Sequence, residues 1–330
     1  MKRFLITGIN GFIGSNLAER LIKDGHRVNG LIRKSSDLKF LKGLELELFF
    51  GDVTDKQSLV EPLKDVDIVV HVAALASDWG SYDSFYKANV FGTQNIAEEA
   101  SNSGVKRFVH ISSTVVHGFP NCKNINEDFP LVKSIFPYCD TKRIAEEWLF
   151  EFAKKTQMEI TAIRAGNVFG VKDRTFAEKY CDALMQGKGG YIDGGRHWTN
   201  TLYIDNLIDA IVLASFEPNA VGEAFIITDG NEITWKEVTY KYADTLGIKR
   251  PTLSTPFWLG YSIAFILEMI YKLFQSKNPP ILTRYRISNG GTDYHFSIEK
   301  AKKLLNYKPK VGLDEGIKRT IAWYKNRANQ

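Results

Sequence analysis

A tyrosine and a lysine four residues apart, Tyr138 and Lys142, are the side chains in this sequence best suited to acid–base chemistry. In a helix, this spacing places both side chains on one face. A phenol titrates at about 10, and a nearby ammonium group favours the phenolate and brings the pKa closer to neutrality. Such a tyrosine can donate a proton to a ketone oxygen or remove one from an alcohol. The pair therefore predicts proton transfer at a carbonyl or alcohol group.

Hydroxyl side chains that could assist this tyrosine occur earlier in the chain. A predicted strand at 107–111 runs directly into Ser112, Ser113 and Thr114. A serine hydroxyl beside the phenol can hold the same substrate oxygen as charge develops on it. Tyr-x-x-x-Lys spacings are common by chance, so the prediction depends on finding these hydroxyls, the Tyr-Lys helix and a nucleotide-binding turn in one chain.

The nucleotide-binding turn is predicted within residues 1–25. An apolar run at 4–6 predicts a strand, and the amphipathic stretch ending at Lys23 predicts a helix. Between them lie Gly8, Gly11 and Gly14, which allow a tight turn, backbone approach to a diphosphate and close helix packing. The helix begins near Phe12 and Ile13, whose free N–H groups would face the phosphates. The spacing is G-x-x-G-x-x-G rather than G-x-G-x-x-G, yet its context predicts dinucleotide binding.

The choice of dinucleotide is predicted from the end of the second strand, 26–32. An NAD-binding chain usually has an acidic residue at this position, which accepts a hydrogen bond from the ribose 2′-hydroxyl. Here Arg33 is followed by Lys34 and two serines, a set better suited to a 2′-phosphate. We therefore expect NADP as the cofactor and keep NAD as the alternative. The simpler interpretation of Arg33 is a solvated surface side chain.

Further cofactor contacts are expected where the next strands end. After the third strand, 46–50, Asp52 could accept a hydrogen bond from the adenine amino group, with Val53 beside it, or could simply form a turn. Asp55 could cap the next helix. After the fourth strand, 67–72, Ala73 and Ala74 keep side chains small where the diphosphate would pass.

Strands alternating with helices predict parallel βαβ units. Right-handed crossovers then give an α/β doubly wound parallel sheet, with its site at the carboxyl ends of the strands. A chain of 330 residues suits one enzyme of two unequal lobes.

Composition and charge argue against several classes of function. The formal charge of +5 is spread along the chain and the lysines at 300–310 are mixed with acids, so we expect no nucleic-acid partner. Three cysteines without C-x-x-C spacing predict neither a disulfide framework nor a metal site. The N-terminus has no signal-peptide pattern, so we expect a cytoplasmic protein.

With these residues in hand, the chain resembles the extended branch of the short-chain dehydrogenase/reductase superfamily. The resemblance is carried by the glycine turn, Asp52, the segment 71–74, Asn89, Ser113, Tyr138, Lys142 and the segment 164–170. The downstream half looks most like the 3β-hydroxysteroid dehydrogenase and sterol-4-carboxylate dehydrogenase group, through the segments 227–230, 256–274, 282–286 and 292–316. The family commonly has proline where Ala165 stands.

The resemblance implies a Rossmann domain of residues 1–174 and 198–230 and a smaller, mostly helical substrate lobe of 175–197 and 231–330. It implies Tyr138, Lys142 and Ser113 as catalytic residues, with Tyr138, Lys142 and Asn89 also serving the cofactor. It further implies a homodimer and substrate contacts from Thr114, Asn167 and Arg284.

Three functions are compatible with this sequence. The first is an NADP-dependent oxidoreductase that interconverts a secondary alcohol and a ketone on an apolar, steroid-like or acyl substrate. The second is a nucleotide-sugar epimerase or dehydratase with tightly bound NAD. The third is a non-catalytic nucleotide-sensing protein, which the complete Ser-Tyr-Lys set disfavours because a sensor needs no proton donor.

The segment 257–274 is a nearly continuous apolar run in which Glu268 and Lys272 form one narrow polar stripe. It is too short and too charged to span a bilayer. We consider three roles for it: a wall or lid of the substrate lobe, a helix lying in a membrane interface, and a subunit contact. The first two favour an apolar substrate. The second would make the protein membrane-associated.

Overall fold

The computed structural model describes residues 1–327. Its strands are β1 (Arg3–Thr7), β2 (Arg27–Ile32), β3 (Glu47–Phe50), β4 (Ile68–His71), β5 (Arg107–Ser113), β6 (Cys122–Ile125), β7 (Glu159–Ala165), β8 (Asn167–Phe169), β9 (Tyr191–Ile192), β10 (Trp198–Thr199), β11 (Thr201–Tyr203), β12 (Ala224–Ile227), β13 (Ile233–Thr234), β14 (Ser254–Thr255) and β15 (Tyr294–Phe296). Its α-helices are α1 (Phe12–Lys23), α2 (Tyr82–Phe85), α3 (Gly92–Asn102), α4 (Pro137–Ala153), α5 (Ala177–Met185), α6 (Ile204–Phe216), α7 (Trp235–Leu246), α8 (Phe257–Leu273), α9 (Arg284–Gly290), α10 (Glu299–Leu305) and α11 (Leu313–Asn326).

Seven parallel strands form the central sheet in the order β12-β7-β5-β4-β1-β2-β3. The chain builds outward from β1 to β3 and then returns to build from β4 in the opposite direction. The strand order therefore reverses between β1 and β4, where Thr7 and His71 are register partners. In such sheets, ligands bind in the crevice at the carboxyl ends of the strands on either side of this reversal. The predicted doubly wound α/β fold is confirmed.

Helices cover both faces of the sheet because its strands are apolar on both sides. One core joins the sheet to α1, α6 and α11 through Leu17, Leu207 and Ile317, all fully buried. A second core joins the opposite face to α3 and α4 through Ile96 and Leu149. The sheet thus forms a rigid floor for side chains at its carboxyl edge.

The stretch 82–102 is helical but not one regular α-helix. A π-helical turn, Tyr86–Phe91, separates α2 from α3. Within it lies Asn89, which is 2 % exposed and exchanges hydrogen bonds with the backbone of Leu75: the Leu75 N–H donates to Oδ1 at 2.7 Å, and Nδ2 donates to the Leu75 carbonyl at 3.2 Å. Such π turns occur frequently at functional sites. The pattern of apolar residues in this stretch did not indicate the π-helical turn.

The rest of the chain interleaves with the sheet. Strand β11 pairs with β8, and β12 returns to the outer edge of the large sheet beside β7. Between and after these strands lie α5, α7, α8 and α9, with the small strand pairs β9–β14 and β10–β13. Among residues 1–327, no helix combines the length and apolar character needed to cross a bilayer.

Candidate active site

The glycine turn between β1 and α1 leaves space that side chains would fill. Gly8 has a φ of +68°, and a Cβ there would lie 3.0 Å from the Ala73 Cα atom. A Cβ on Gly14 would lie 2.4 Å from the Gly8 carbonyl oxygen. The helix can therefore lie this close to the turn only with glycine at position 14. At Gly11 the nearest atom to an added Cβ is the Gly8 oxygen at 3.3 Å, which leaves the outer side open.

The turn therefore fits a dinucleotide diphosphate. Helix α1 begins at Phe12, so the N–H groups of Phe12 and Ile13 have no intrahelical acceptor and point out of the helix end toward this space. Across the crevice, Ala73 and Ala74 follow β4, as predicted, with small side chains. The Ala73 N–H donates to the Thr7 hydroxyl at 3.1 Å, which fixes the two strand ends together.

The predicted adenosine contacts lie at the ends of β2 and β3. Arg33 follows β2 directly and is exposed, and its backbone N–H donates to the Ser36 hydroxyl at 3.0 Å. No carboxylate within residues 1–327 forms an ion pair with its guanidinium group. Asp52 is already engaged as a turn former, since its Oδ1 accepts from the Thr54 N–H and hydroxyl, both at 2.8 Å. Asp55 caps the following 3-10 helix by accepting from Gln57, as predicted.

The structure brings Ser113 and Tyr138 together. Ser113 ends β5 and caps the short helix 114–117, where its hydroxyl accepts from the Val115 N–H at 3.4 Å. Tyr138 lies in the first turn of α4, behind Pro137, which suits the helix start because it needs no N–H donor there. Burial raises the pKa of Tyr138 to about 12, and a hydrogen bond with Ser113 opposes that rise.

The location of the Lys142 ammonium group differs from the expectation. Lys142 shares the α4 face with Tyr138, but its Nζ donates to the Ile111 carbonyl at 2.5 Å and lies 3.4 Å from His110 Nε2. The ammonium group is thus held against β5, where a backbone carbonyl is available to it. The Tyr138 pKa is correspondingly raised by burial rather than lowered by Lys142. Burial also lowers the pKa of Lys142 to about 8.

A buried histidine pair lies beneath this lysine. His71 contacts the Thr7 hydroxyl at 2.7 Å and the Thr93 hydroxyl at 3.0 Å, and its ring centroid is 5.5 Å from that of His110. Burial, followed by the charge of Lys142, lowers the pKa of His71 to about 3. The same causes lower the pKa of His110 well below its usual value. Both imidazoles are therefore neutral, and His71 is a packed strand residue.

Sequence reasoning missed a buried ion pair that contacts Ser112, the neighbour of Ser113. Glu146, fully buried on α4, accepts two hydrogen bonds from the Arg164 guanidinium at 2.7 and 2.8 Å and one from the Ser112 hydroxyl at 2.5 Å. Arg164 on β7 also donates to the Glu127 carbonyl at 3.2 Å. This cluster ties α4 to β5 and β7. The sequence contained one indication of this ion pair, which is Arg164 within the largely apolar strand β7.

Asn89 fixes the active-site helix rather than standing free for the cofactor. Besides its bonds to Leu75, its Nδ2 donates to the Thr141 hydroxyl at 3.1 Å. Thr141 lies between Tyr138 and Lys142, so this contact positions both catalytic side chains. Val53, the cofactor candidate that follows Asp52, packs against Gly92. A Cβ added to Gly92 would lie 2.7 Å from the Val53 side chain.

The three substrate candidates are each hydrogen-bonded within the protein. The Thr114 hydroxyl is buried, donating to the Ala165 carbonyl and accepting from Asn200, both at 3.4 Å. Asn167 donates from its amide to the Thr199 hydroxyl at 3.2 Å. Arg284 forms an ion pair with Glu268 at 2.8 Å.

This last contact corrects the predicted polar stripe on α8. Glu268 pairs with Arg284 of α9 and not with Lys272, because Glu268 faces inward and is 7 % exposed while Lys272 lies in solvent. The neighbouring Arg286 is also engaged, with its Nε 2.7 Å from Asp78.

Aromatic rings surround the active-site tyrosine. Phe136 precedes it by two residues and meets Tyr285 of α9 edge to face, with ring centroids 5.6 Å apart. Phe119 lies 5.3 Å from Tyr285 and 5.2 Å from Tyr294. Burial raises the pKa of Tyr285 well above its usual value, and the nearby Cys139 and Tyr138 add to this effect. These rings form an aromatic wall close to Tyr138.

A doubly wound sheet, an open glycine turn at its switch point and a Ser-Tyr pair at the end of β5 define a dinucleotide-dependent oxidoreductase of the Rossmann type. Residues 4–228 match the NAD dependent epimerase/dehydratase family. The chain belongs to this family, and the predicted relationship is confirmed.

Three similar proteins illustrate its range. A mouse sterol-4-alpha-carboxylate 3-dehydrogenase (decarboxylating) is 29 % identical over 97 % of this chain and 90 % of its own length. A 2-alkyl-3-oxoalkanoate reductase from Stenotrophomonas maltophilia is 29 % identical over 97 % of this chain and 98 % of its own. The crystal structure of gox2253 superimposes with a TM-score of 0.84 at 26 % identity, covering both chains fully.

Proposed function

We propose that this enzyme interconverts a secondary alcohol and a ketone on an apolar substrate, with NADP as the cofactor. The observation that carries the proposal is the cluster of aromatic rings close to Tyr138, formed by Phe119, Phe136 and Tyr285. The named activities of the sterol dehydrogenase and oxoalkanoate reductase relatives support the same class of substrate.

In the reducing direction, Tyr138 supplies a proton to the ketone oxygen. Its pKa of about 12 keeps the phenol protonated at neutral pH, so it is ready to act as an acid. The Ser113 hydroxyl, which lies near the phenol, would hold the same oxygen while negative charge develops there. When bound, the nicotinamide supplies or accepts the hydride.

Lys142 acts through its charge. At neutral pH the ammonium group is protonated, because its pKa of about 8 lies above the ambient pH. In the structure it is held by the Ile111 carbonyl and His110. From that position on α4, it can serve the ribose and, by rotating, the phenolate that alcohol oxidation requires. His110 is neutral and can accept a hydrogen bond from it without competing for charge.

The NADP preference rests on Arg33. Its exposed guanidinium follows β2, where the adenosine ribose is bound in this fold, and no carboxylate within residues 1–327 neutralises it. A dianionic phosphate is a better partner for this group than a neutral hydroxyl.

Nucleotide-sugar epimerisation is the second candidate, favoured by the breadth of the matched family. Such a substrate brings a diphosphate that needs cations. Arg284 and Arg286, the close pair of arginines downstream of the active-site motifs, are bound to Glu268 and Asp78 and so are already neutralised. The apolar substrate is therefore the stronger proposal.

A turnover panel tests this choice. Steroid and acyl ketones are assayed with NADPH, and UDP- and dTDP-sugars with NAD, for the wild type, Tyr138→Phe and the control Tyr240→Phe, whose tyrosine lies on α7. We expect reduction of an apolar ketone by the wild type and the control but not by Tyr138→Phe. Efficient turnover of a nucleotide sugar with no activity on any apolar ketone or alcohol would refute the proposal.

A further inference from the structure

Helix α8 has an apolar surface that the rest of residues 1–327 leaves exposed. Its inward half carries Gly260, Ala264 and Glu268, all buried. Its outward half, which we term the apolar face, carries large side chains that are 39 to 79 % exposed, among them Trp258, Ile263, Ile266, Met269 and Leu273. More than half of the exposed large hydrophobic side chains within residues 1–327 lie between positions 253 and 281. An exposed patch of this size marks a contact surface.

The exposed charges of the segment 253–283 have one sign. Between positions 253 and 283 the ionisable carboxylates and amines are Glu268, Lys272 and Lys277. Glu268 is buried and neutralised by Arg284, whereas both lysines are exposed. The polar residue within the outward half is Ser262, whose hydroxyl bonds the Trp258 carbonyl of its own helix. The surface therefore offers apolar side chains and positive charge, with few groups for directed hydrogen bonds.

The same helix is connected to the active site. Glu268 accepts a hydrogen bond from the Arg284 backbone N–H at 2.7 Å, which anchors the start of α9 on the inward side of α8. The next residue along α9, Tyr285, belongs to the aromatic wall beside Tyr138. Helix α8 is therefore linked, through Glu268 and α9, to the aromatic wall close to Tyr138.

We propose that α8 lies in the interface of an anionic lipid bilayer, with the apolar face among the acyl chains and Lys272 and Lys277 at the headgroups. An amphipathic helix in this orientation needs a broad apolar half and flanking cations, and both are present. A second copy of the chain is a poorer occupant, since the segment 253–283 has no exposed carboxylate that could pair with the lysines of a partner. This inference concerns a surface and stands apart from the proposed reaction.

Vesicle flotation tests the inference on the full-length protein. Vesicles of phosphatidylcholine are compared with vesicles that also contain phosphatidylglycerol. We expect the wild type to float with the anionic vesicles and Met269→Glu/Leu273→Glu to remain at the bottom. Met185→Glu is the matched control, because Met185 is 54 % exposed and Met269 is 53 % exposed. Lys272→Gln/Lys277→Gln should weaken binding to anionic vesicles by about tenfold or more.

Other outcomes would overturn the proposal. The wild type could fail to float with either vesicle, or Met269→Glu/Leu273→Glu could float as well as the wild type. Light scattering gives a further check: a dimer of the wild type that Met269→Glu/Leu273→Glu dissociates would assign the apolar face to a second copy. Reduction of a short, water-soluble ketone should be unchanged in this double variant, which separates loss of membrane binding from loss of the fold or the reaction.

Discussion

Replacing Arg33 by alanine should shift the cofactor preference of this enzyme from NADP toward NAD. Arg33 stands directly after β2, its guanidinium is exposed, and no carboxylate of the described chain competes for it. The substitution removes the charge and leaves the backbone hydrogen bond to Ser36 available. NADH lacks the 2′-phosphate, so its affinity should change little.

The size of the effect follows from the exposure of the side chain. A hydrogen bond to a charged group contributes about 1.5–3 kcal/mol. Because solvent screens this exposed group, we take the lower end of that range, about 1.5 kcal/mol. At about 1.4 kcal/mol per factor of ten, NADPH affinity should fall about tenfold.

Dissociation constants for NADPH and NADH, measured by fluorescence titration, test this prediction. The matched control is Arg27→Ala, which removes another exposed arginine from the opposite, amino end of β2. We expect Arg27→Ala to bind both cofactors like the wild type. Equal affinities of the wild type for NADPH and NADH, or an equal loss in both arginine variants, would refute the assignment of Arg33 to the 2′-phosphate.

Four further predictions concern Tyr138, Lys142 and the buried ion pair next to them. Tyr138→Phe should abolish turnover while leaving NADPH affinity and the melting temperature near wild-type values, since only the phenolic oxygen is lost; near-normal turnover would require another acid. The kcat/KM for ketone reduction should fall as pH rises above about 8, where Lys142 loses its proton, and a flat profile to pH 10 would show that its charge is not needed. For the same group, the unfolded state holds the proton up to its ordinary pKa of 10.5, so the free energy of unfolding should rise with pH between about 8 and 10.5, and Lys142→Met should remove that rise. Glu146→Ala should lower the free energy of unfolding in urea by about 3–5 kcal/mol, because it leaves Arg164 buried without its partner; a loss below about 1 kcal/mol would contradict this account of the cluster.

Sequence patterns predicted the sheet and the nucleotide turn well because both depend on local features. Buried parallel strands are nearly continuous apolar runs, and the structure places β2 to β5 within one or two residues of the predicted bounds. The glycine spacing has a direct steric cause, visible in the 2.4 Å contact that a Cβ on Gly14 would make.

The remaining features depend on partners distant in the sequence. Glu146 and Arg164 meet only because α4 packs on β7, and Glu268 finds Arg284 because α9 folds back on α8. The Lys142 ammonium is bound by the Ile111 carbonyl, a backbone group that no residue pattern specifies. The predicted polar stripe of Glu268 and Lys272 was wrong for the same reason, because Glu268 is buried against Arg284 whereas Lys272 is exposed.

Transfer of hydrogen from labelled cofactor to product tests the proposed reaction most directly. NADPH carrying deuterium at the nicotinamide C4 position is incubated with the enzyme and an apolar steroid or acyl ketone, and the product is examined by mass spectrometry. We predict deuterium on the new carbinol carbon, with one product formed for each cofactor oxidised, and no transfer by Tyr138→Phe. Conversion of a nucleotide sugar with no net oxidation of cofactor, and no label transferred to any apolar ketone, would contradict the account.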